Sequence, residues 1–127
     1  MRPFVIDTDT ATDDAVALVM ALARPDIHVE AITVVAGNVG LAQTIQNALY
    51  TVELCGKAVP VYAGADRPLH APLEKAEDVH GVDGLGDIGL PLYGRTPAQG
   101  HAVDALLAAA NAYPGELTLV ALGPLTN

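Results

Sequence analysis

Apolar residues occur along this chain in two spacings, and the two spacings alternate. Short continuous runs of apolar or β-branched residues predict four strands, at residues 3–7, 28–37, 59–64 and 117–122. Apolar positions at helical spacing predict three helices, at residues 13–23, 41–56 and 98–115. Thr12 is the expected N-cap of the first helix, and Gly56 is a suitable residue directly after the second.

The alternation of strands with helices indicates successive βαβ units, which place the strands side by side in a parallel sheet. Helices on both faces of such a sheet would explain why the strands are apolar throughout. We therefore predict an α/β protein with an open, mainly parallel sheet, formed by a single domain over residues 1–127. Residues 65–97 are rich in proline and glycine and predict a long loop, and such loops in compact domains are often functional.

Composition and charge indicate which classes of partner and which cellular compartment the chain suits. The chain is 51% hydrophobic, as globular domains are, and its formal net charge is -9. With only 6 Lys and Arg residues it offers little to nucleic acid or to an anionic membrane, and its apolar runs are too short to span a bilayer. One cysteine, Cys55, excludes an internal disulfide and suits the cytoplasm, and the N-terminal residues lack the apolar segment of a signal peptide.

Four aspartates lie close together where the first predicted strand ends and the first helix begins: Asp7, Asp9, Asp13 and Asp14. Polar residues also follow the second strand, at Gly37 and Asn38, and the fourth strand, at residues 123–127. Because the carboxyl ends of parallel strands meet at one rim of a sheet, and ligands bind beyond that rim, we expect these groups to converge on a binding site.

Two interpretations of the aspartates follow from the residues alone. Carboxylates at a helix N-terminus are favoured by the helix dipole, and aspartates in turns bond their own backbone, so the group could be purely structural. However, like charges this close repel one another, and burial at a sheet rim adds to that cost. A bound divalent cation would remove both penalties, and ligands that are all oxygen select a hard cation, Ca²⁺ or Mg²⁺.

The segment VIDTDTATDDAVAL, at residues 5–18, resembles the N-terminal signature of the nucleoside hydrolases, the inosine-uridine-preferring N-ribohydrolases. Four later segments are similar to further motifs of that family, in the same order: ITVVAGNVG (32–40), VPVYAGADRPL (59–69), VHGVDGLGD (79–87) and LTLVALGPLTN (117–127). The resemblance therefore covers the whole chain. It implies an open sheet of Rossmann-like order, and Ca²⁺-dependent hydrolysis of the N-glycosidic bond of ribonucleosides to ribose and free base.

The resemblance also assigns roles to the polar residues of the rim. Asp9 would be the general base on the attacking water and a metal ligand. Asp14 and the backbone carbonyl of Leu122 would be further Ca²⁺ ligands, with Asp7 as another ligand or a supporting carboxylate. These assignments suit the chemistry, because carboxylates stabilise an oxocarbenium-like transition state and can take a proton from a metal-bound water.

The remaining roles concern the substrate. By the same resemblance Asp13 and Asn38 would bind ribose hydroxyls, and His80, on the long loop, would lie near the leaving base and act in catalysis. The only small-molecule partner implied is a ribonucleoside, and a complete enzyme of this family would form a homodimer or homotetramer.

The chain departs from the family pattern in two respects. Thr10 and Ala11 stand where the family loop has Pro-Gly or x-Gly, and alanine adopts a positive φ less freely than glycine. Family members are also more than twice as long, so the sheet is expected to be incomplete at its C-terminus. Two alternatives follow: a truncated, non-catalytic cation-binding fragment, or a Mg²⁺-dependent phosphohydrolase of the haloacid-dehalogenase type with Asp7 as nucleophile.

Overall fold

A sheet of four parallel strands forms the centre of the protein in a computed structural model that describes residues 1–127. Its elements, in chain order, are β1 (Arg2–Thr8), α1 (Thr12–Ala23), β2 (Ile27–Val34), α2 (Leu41–Leu54), β3 (Val61–Ala63), α3 (Glu77–His80), α4 (Ala102–Ala112) and β4 (Thr118–Ala121). The strand order is β3-β2-β1-β4, and all three pairings are parallel. This confirms the predicted α/β class and the Rossmann-like order.

Helices cover both faces of the sheet, as the apolar strands predicted. Neighbouring residues of β1 point to opposite faces, so that Ile6 packs with Leu18 of α1 and Ala48 of α2, whereas Val5 packs with Ala109 of α4. The first of these cores is the larger, because two helices contribute to it and only one packs on the other face. The buried strand residues and the covering helices together hold the ends of β1, β2 and β4 at one rim.

The structure corrects three of the predicted helix and strand boundaries. Thr12 is not an N-cap: the cap position is Ala11, whose extended backbone carries no side-chain cap, and Thr12 is the first helical residue. β2 ends at Val34. The N–H groups of residues 35–37 donate hydrogen bonds to backbone carbonyls at the rim of the sheet. α4 begins only at Ala102, where the His101 side chain accepts a hydrogen bond from the Val103 N–H.

Other local predictions are confirmed or extended. Gly56 follows α2 with φ +63°, and its N–H donates to the Glu53 carbonyl at 2.9 Å, as expected of a residue that ends a helix. The long loop of residues 65–97 contains the single-turn helix α3, which the sequence pattern did not predict. Cys55 is half-buried against the larger core and unpaired. None of the helices is both long and apolar enough to cross a membrane.

Replacing Leu18 with alanine should lower the free energy of unfolding by about 2–5 kcal/mol, because this side chain is fully buried between α1 and the sheet. The matched control is Val16→Ala on the same helix, which is 59% exposed and should change that free energy by no more than about 0.5 kcal/mol. Urea unfolding followed by circular dichroism measures both. Equal losses in the two variants would contradict the assigned core.

Candidate active site

The end of β1 is held between its two neighbours by backbone hydrogen bonds that continue past the strands. The Val35 N–H donates to the Thr8 carbonyl at 3.0 Å, on the side of β2. The Leu122 N–H donates to the Asp7 carbonyl at 2.8 Å, on the side of β4. The residues that follow therefore leave the sheet between two fixed strand ends. We call them the aspartate loop (residues 9–14), of which the last three form the first turn of α1.

Asp9 is the first residue of this loop, and it is only 5% exposed. Its Oδ2 accepts a hydrogen bond from the backbone N–H of Asn38 at 3.0 Å. A Cβ added to Gly37 would lie 2.1 Å from that Oδ2, and one added to Gly123 would lie 2.9 Å from Oδ1. The carboxylate thus fills a space that exists only because the residues after β2 and β4 are glycines.

Asp14, in the first turn of α1, is the second buried carboxylate, and it is 4% exposed. Its Oδ2 accepts a hydrogen bond from the Thr8 hydroxyl at 2.7 Å. Burial, together with the neighbouring carboxylates of Asp9 and Asp13, raises the pKa of Asp14 to about 7, although the Thr8 hydrogen bond opposes the shift. Asp9 and Asp14 therefore form a pair of carboxylates in which holding two negative charges is costly.

Asp7 is buried in a different environment. Its Oδ2 accepts hydrogen bonds from the Thr33 hydroxyl at 2.6 Å and from Asn127 Nδ2 at 2.9 Å. Burial raises the pKa of Asp7, and these two donors partly offset the rise. Asn127 also accepts from the Ala65 N–H at 2.8 Å and donates to the Val34 carbonyl at 3.2 Å. This network joins the ends of β1, β2 and β3.

The residues expected to bind substrate lie around the carboxylate pair. Asp13 is exposed in the first turn of α1, next to Asp14. Asn38 is half-buried, and its Nδ2 donates to the Asp9 carbonyl at 3.4 Å. His80 Nδ1 lies 2.7 Å from the Thr12 hydroxyl, which brings the end of α3 against the first turn of α1. The structure therefore gathers every polar residue that the sequence assigned to this rim.

Comparison with known proteins agrees with this geometry. The model of the inosine-uridine preferring nucleoside hydrolases matches residues 4–127. The chain belongs to this family. It is 41% identical over 125 residues to uridine nucleosidase 1 of Arabidopsis thaliana, covering 97% of this chain and 37% of that protein. It is 38% identical over 125 residues to the non-specific ribonucleoside hydrolase RihC of Klebsiella pneumoniae, covering 98% of this chain and 41% of that protein.

Solved structures of the same family superpose closely. A plant nucleoside hydrolase matches with a TM-score of 0.91 and 41% identity, over 98% of this chain and 40% of the other. A purine-preferring ribonucleoside hydrolase from Gardnerella vaginalis also matches with a TM-score of 0.91, at 31% identity, over 98% of this chain and 41% of the other. The chain thus spans about 40% of the length of the relatives it matches.

Family membership argues against the phosphohydrolase alternative, and the position of Asp7 agrees. A haloacid-dehalogenase nucleophile must reach a phosphoryl group with its carboxylate. Here Asp7 is 4% exposed, and Thr33 and Asn127 occupy its Oδ2. The site is built around Asp9 and Asp14 instead.

The donors at the rim fit part of the coordination shell of a hard cation. Asp9 and Asp14 bring two carboxylates together, and the Leu122 carbonyl accepts no hydrogen bond from the protein. No group of three or more His, Cys, Asp or Glu side chains is placed to hold a metal ion. Ca²⁺ takes about six to eight oxygen ligands, so these three residues would supply only part of its shell.

Several residues that organise the site were missed by the sequence analysis. Thr8 and Thr33 bond the buried carboxylates, and Asn127, which the sequence did not assign to binding, bridges three strand ends. Asn47 of α2 contacts the aspartate loop. The sequence does offer a signal for such residues: a threonine within an apolar strand, or an asparagine within a helical apolar pattern. Such a side chain is expected to be buried, and a buried polar side chain requires a hydrogen-bond partner.

The substitution Asp14→Asn should stabilise the metal-free chain by about 2 kcal/mol at pH 8. The folded pKa of about 7 lies above that of the unfolded chain, so this group costs stability as pH rises from about 4 to 7. Asparagine removes the charge and can still accept from Thr8. Thermal or urea unfolding at pH 5 and pH 8, with a chelator present, measures the difference.

The control is Asp13→Asn, which removes an exposed charge from the same helix turn. It should change stability by no more than about 1 kcal/mol, because the weaker helix-dipole interaction and the relieved repulsion on Asp14 oppose each other. If Asp14→Asn does not stabilise the metal-free chain at pH 8 more than Asp13→Asn does, the carboxylate pair is not repulsive.

Proposed function

We propose that this chain forms the water-activating and ribose-binding part of an enzyme that hydrolyses the N-glycosidic bond of ribonucleosides. The observation that carries the proposal is the burial of Asp9 beside Asp14 at the rim of the sheet. Two ionisable carboxylates are not kept in such a place for stability, because their charges repel there. They suit a reaction in which positive charge develops on a bound sugar.

Asp9 is the general base of the proposed reaction. The Asn38 N–H holds its Oδ2, and both carboxylate oxygens lie against backbone that has no side chain, at Gly37 and Gly123. The carboxylate takes a proton from the attacking water, whose oxygen forms a bond to C1′ of the ribose. The C1′–N bond breaks, the base leaves with the bonding electrons and takes a proton from solvent, and Asp9 returns its proton to solvent.

Asp9, Asp14 and the Leu122 carbonyl are the residues of this chain that would hold a divalent cation. We propose Ca²⁺, because a set of carboxylate and backbone carbonyl oxygens suits that ion. When bound, it would lower the pKa of a coordinated water and orient the ribose diol. Asp7 supports this arrangement from the neighbouring network.

The substrate contacts follow from the arrangement around the pair. Asp13 and Asn38 bind ribose hydroxyls next to Asp9 and Asp14, and His80, at the end of α3, lies near the leaving base. The same proposal includes a cytoplasmic role in nucleoside salvage and assembly into a homodimer or homotetramer. It includes no nucleic-acid or membrane partner.

The test is release of free base from inosine and from uridine by the protein at its full encoded length. Asp9→Asn should lower kcat by about 10²–10⁴, because it removes the general base while preserving the shape of the side chain. A chromatographic assay of hypoxanthine and uracil measures the rate.

Glu116→Gln provides the matched control, since Glu116 is an exposed acid in the turn before β4, at the other end of the strand from the site. Its kcat should stay within about twofold of the original protein. Unchanged base release in Asp9→Asn would overturn the assignment of the base. Absence of base release from both nucleosides in the unsubstituted protein would overturn the proposed activity.

A second function, cation binding without turnover, is favoured by one observation. The chain supplies two carboxylates and one free carbonyl to a cation, and it spans about 40% of the length of its relatives. In that case Ca²⁺ would stabilise the chain although no base is released.

Ca²⁺ in hundredfold excess over its dissociation constant should raise the free energy of unfolding of the 127-residue chain by about 2.7 kcal/mol. Asp14→Asn should abolish this increase, because it removes one of the proposed ligands. Thermal unfolding across a Ca²⁺ titration, with a parallel Mg²⁺ titration, measures the effect. Equal stabilisation of both proteins by Ca²⁺ would place the ion elsewhere.

A further inference from the structure

Asn47 is a polar residue in the interior that the proposed chemistry leaves without a role. It lies on α2 and is 0% exposed, next to Ala48 of the larger core. An asparagine amide buried to this extent requires hydrogen-bond partners for its two N–H groups and its oxygen. Its partners therefore show what the residue does.

Both N–H groups of Asn47 are directed to loops of the site. Nδ2 donates to the Thr10 carbonyl at 3.0 Å and to the Asp83 carbonyl at 2.8 Å. Oδ1 accepts from Gln43 Nε2 at 3.0 Å, which fixes the orientation of the amide. One side chain of a rigid helix thus joins two segments far apart in sequence.

The first segment is the aspartate loop, in which Thr10 directly follows Asp9. The second is the glycine-rich loop (residues 80–87), which begins at His80. This loop is tied internally by Asp87, whose carboxylate accepts from the N–H groups of Val82 and Asp83. These bonds hold the loop together internally, and Asn47 fastens it to the aspartate loop from α2.

The glycine-rich loop is shaped to receive this amide. Gly84 is buried at φ +81°, and a Cβ at that position would lie 3.0 Å from Asn47 Nδ2. A side chain there would be strained by the backbone conformation and would crowd the amide. The close approach of loop and helix therefore depends on both residues.

We propose that Asn47 is a positioning residue that sets the distance between His80 and the carboxylate pair of Asp9 and Asp14. The bond from His80 to the Thr12 hydroxyl then forms because the two loops are already aligned. This inference rests on the proposed function for its catalytic consequence. Its structural part, the dependence of the His80 contact on Asn47, stands without turnover.

The decisive variant is Asn47→Leu, which keeps the volume of the side chain and removes both donated hydrogen bonds. The control is Gln46→Met on the same helix, which removes another amide that bridges to a later loop, through the Arg95 carbonyl at 2.7 Å. Each variant removes a side-chain hydrogen bond between α2 and a later loop. Of the two side chains, only that of Asn47 also bonds the aspartate loop. A general loss of stability would affect both.

The first measurement is the Nδ1 resonance of His80 by nitrogen NMR on the 127-residue chain. In Asn47→Leu it should move to the position of His70, an exposed histidine without a hydrogen bond in the structure. In Gln46→Met it should stay unchanged. An unchanged His80 resonance in folded Asn47→Leu would overturn the proposal. If that variant does not fold, Asn47→Ser, which retains one donor, provides the same comparison.

The second measurement is kcat and KM for base release by the protein at its full encoded length. Asn47→Leu should lower kcat by about tenfold to a hundredfold, because misplacement of a reacting group by about 1 Å has that effect, with a smaller change in KM. Gln46→Met should stay within about twofold. A shifted His80 resonance with unchanged kcat would overturn the positioning role. Absence of turnover in the unsubstituted protein would overturn the proposed function, while the NMR comparison would still decide the inference.

Discussion

Two carboxylates buried together at the end of a parallel strand are the constraint around which the rest of this structure is arranged. Asp9 and Asp14 both lie below 6% exposure, and the pKa of Asp14 is raised to about 7 as a result. The segments that follow β2 and β4 carry glycines next to Asp9, and a Cβ at Gly37 or Gly123 would collide with that side chain. Repulsion between these carboxylates therefore lowers the stability of the folded chain at one rim, and burial of apolar side chains on the two sheet faces offsets this loss.

Asp7 and Asp14 show how one short segment places two buried acids in different environments. Asp7 receives two neutral donors, Thr33 and Asn127, and these hold the ends of three strands together. Asp14 receives one donor, Thr8, and faces another carboxylate. Because the side chains of a strand alternate between faces, Asp7 and Thr8 serve different environments although they are adjacent. The electrostatic environment of each aspartate is therefore set by its partners and not by residue type.

The sequence predicted the fold class, all four strands and the three long helices, because hydrophobic periodicity reports burial directly. It also predicted that the aspartates and Asn38 would meet at one rim, since parallel strands end together, whereas His80 was assigned to the site only by the family resemblance. It misjudged Thr12, which bonds His80 rather than capping α1, and it assigned nothing to Asn47. Both contacts join segments separated by more than thirty residues, and local pattern carries no information about such pairings.

The strand order explains why the site forms where it does. From β1 the chain winds outward through β2 to β3, and it then returns to the opposite side of β1 as β4. The segments that follow β2 and β4 therefore depart on opposite sides of β1, and a crevice opens at its carboxyl end. Asp9 lies in that crevice between Gly37 and Gly123. The loop after β1 and residues 80–87 meet there, and both the Asn47 amide of α2 and the contact between Thr12 and His80 join them.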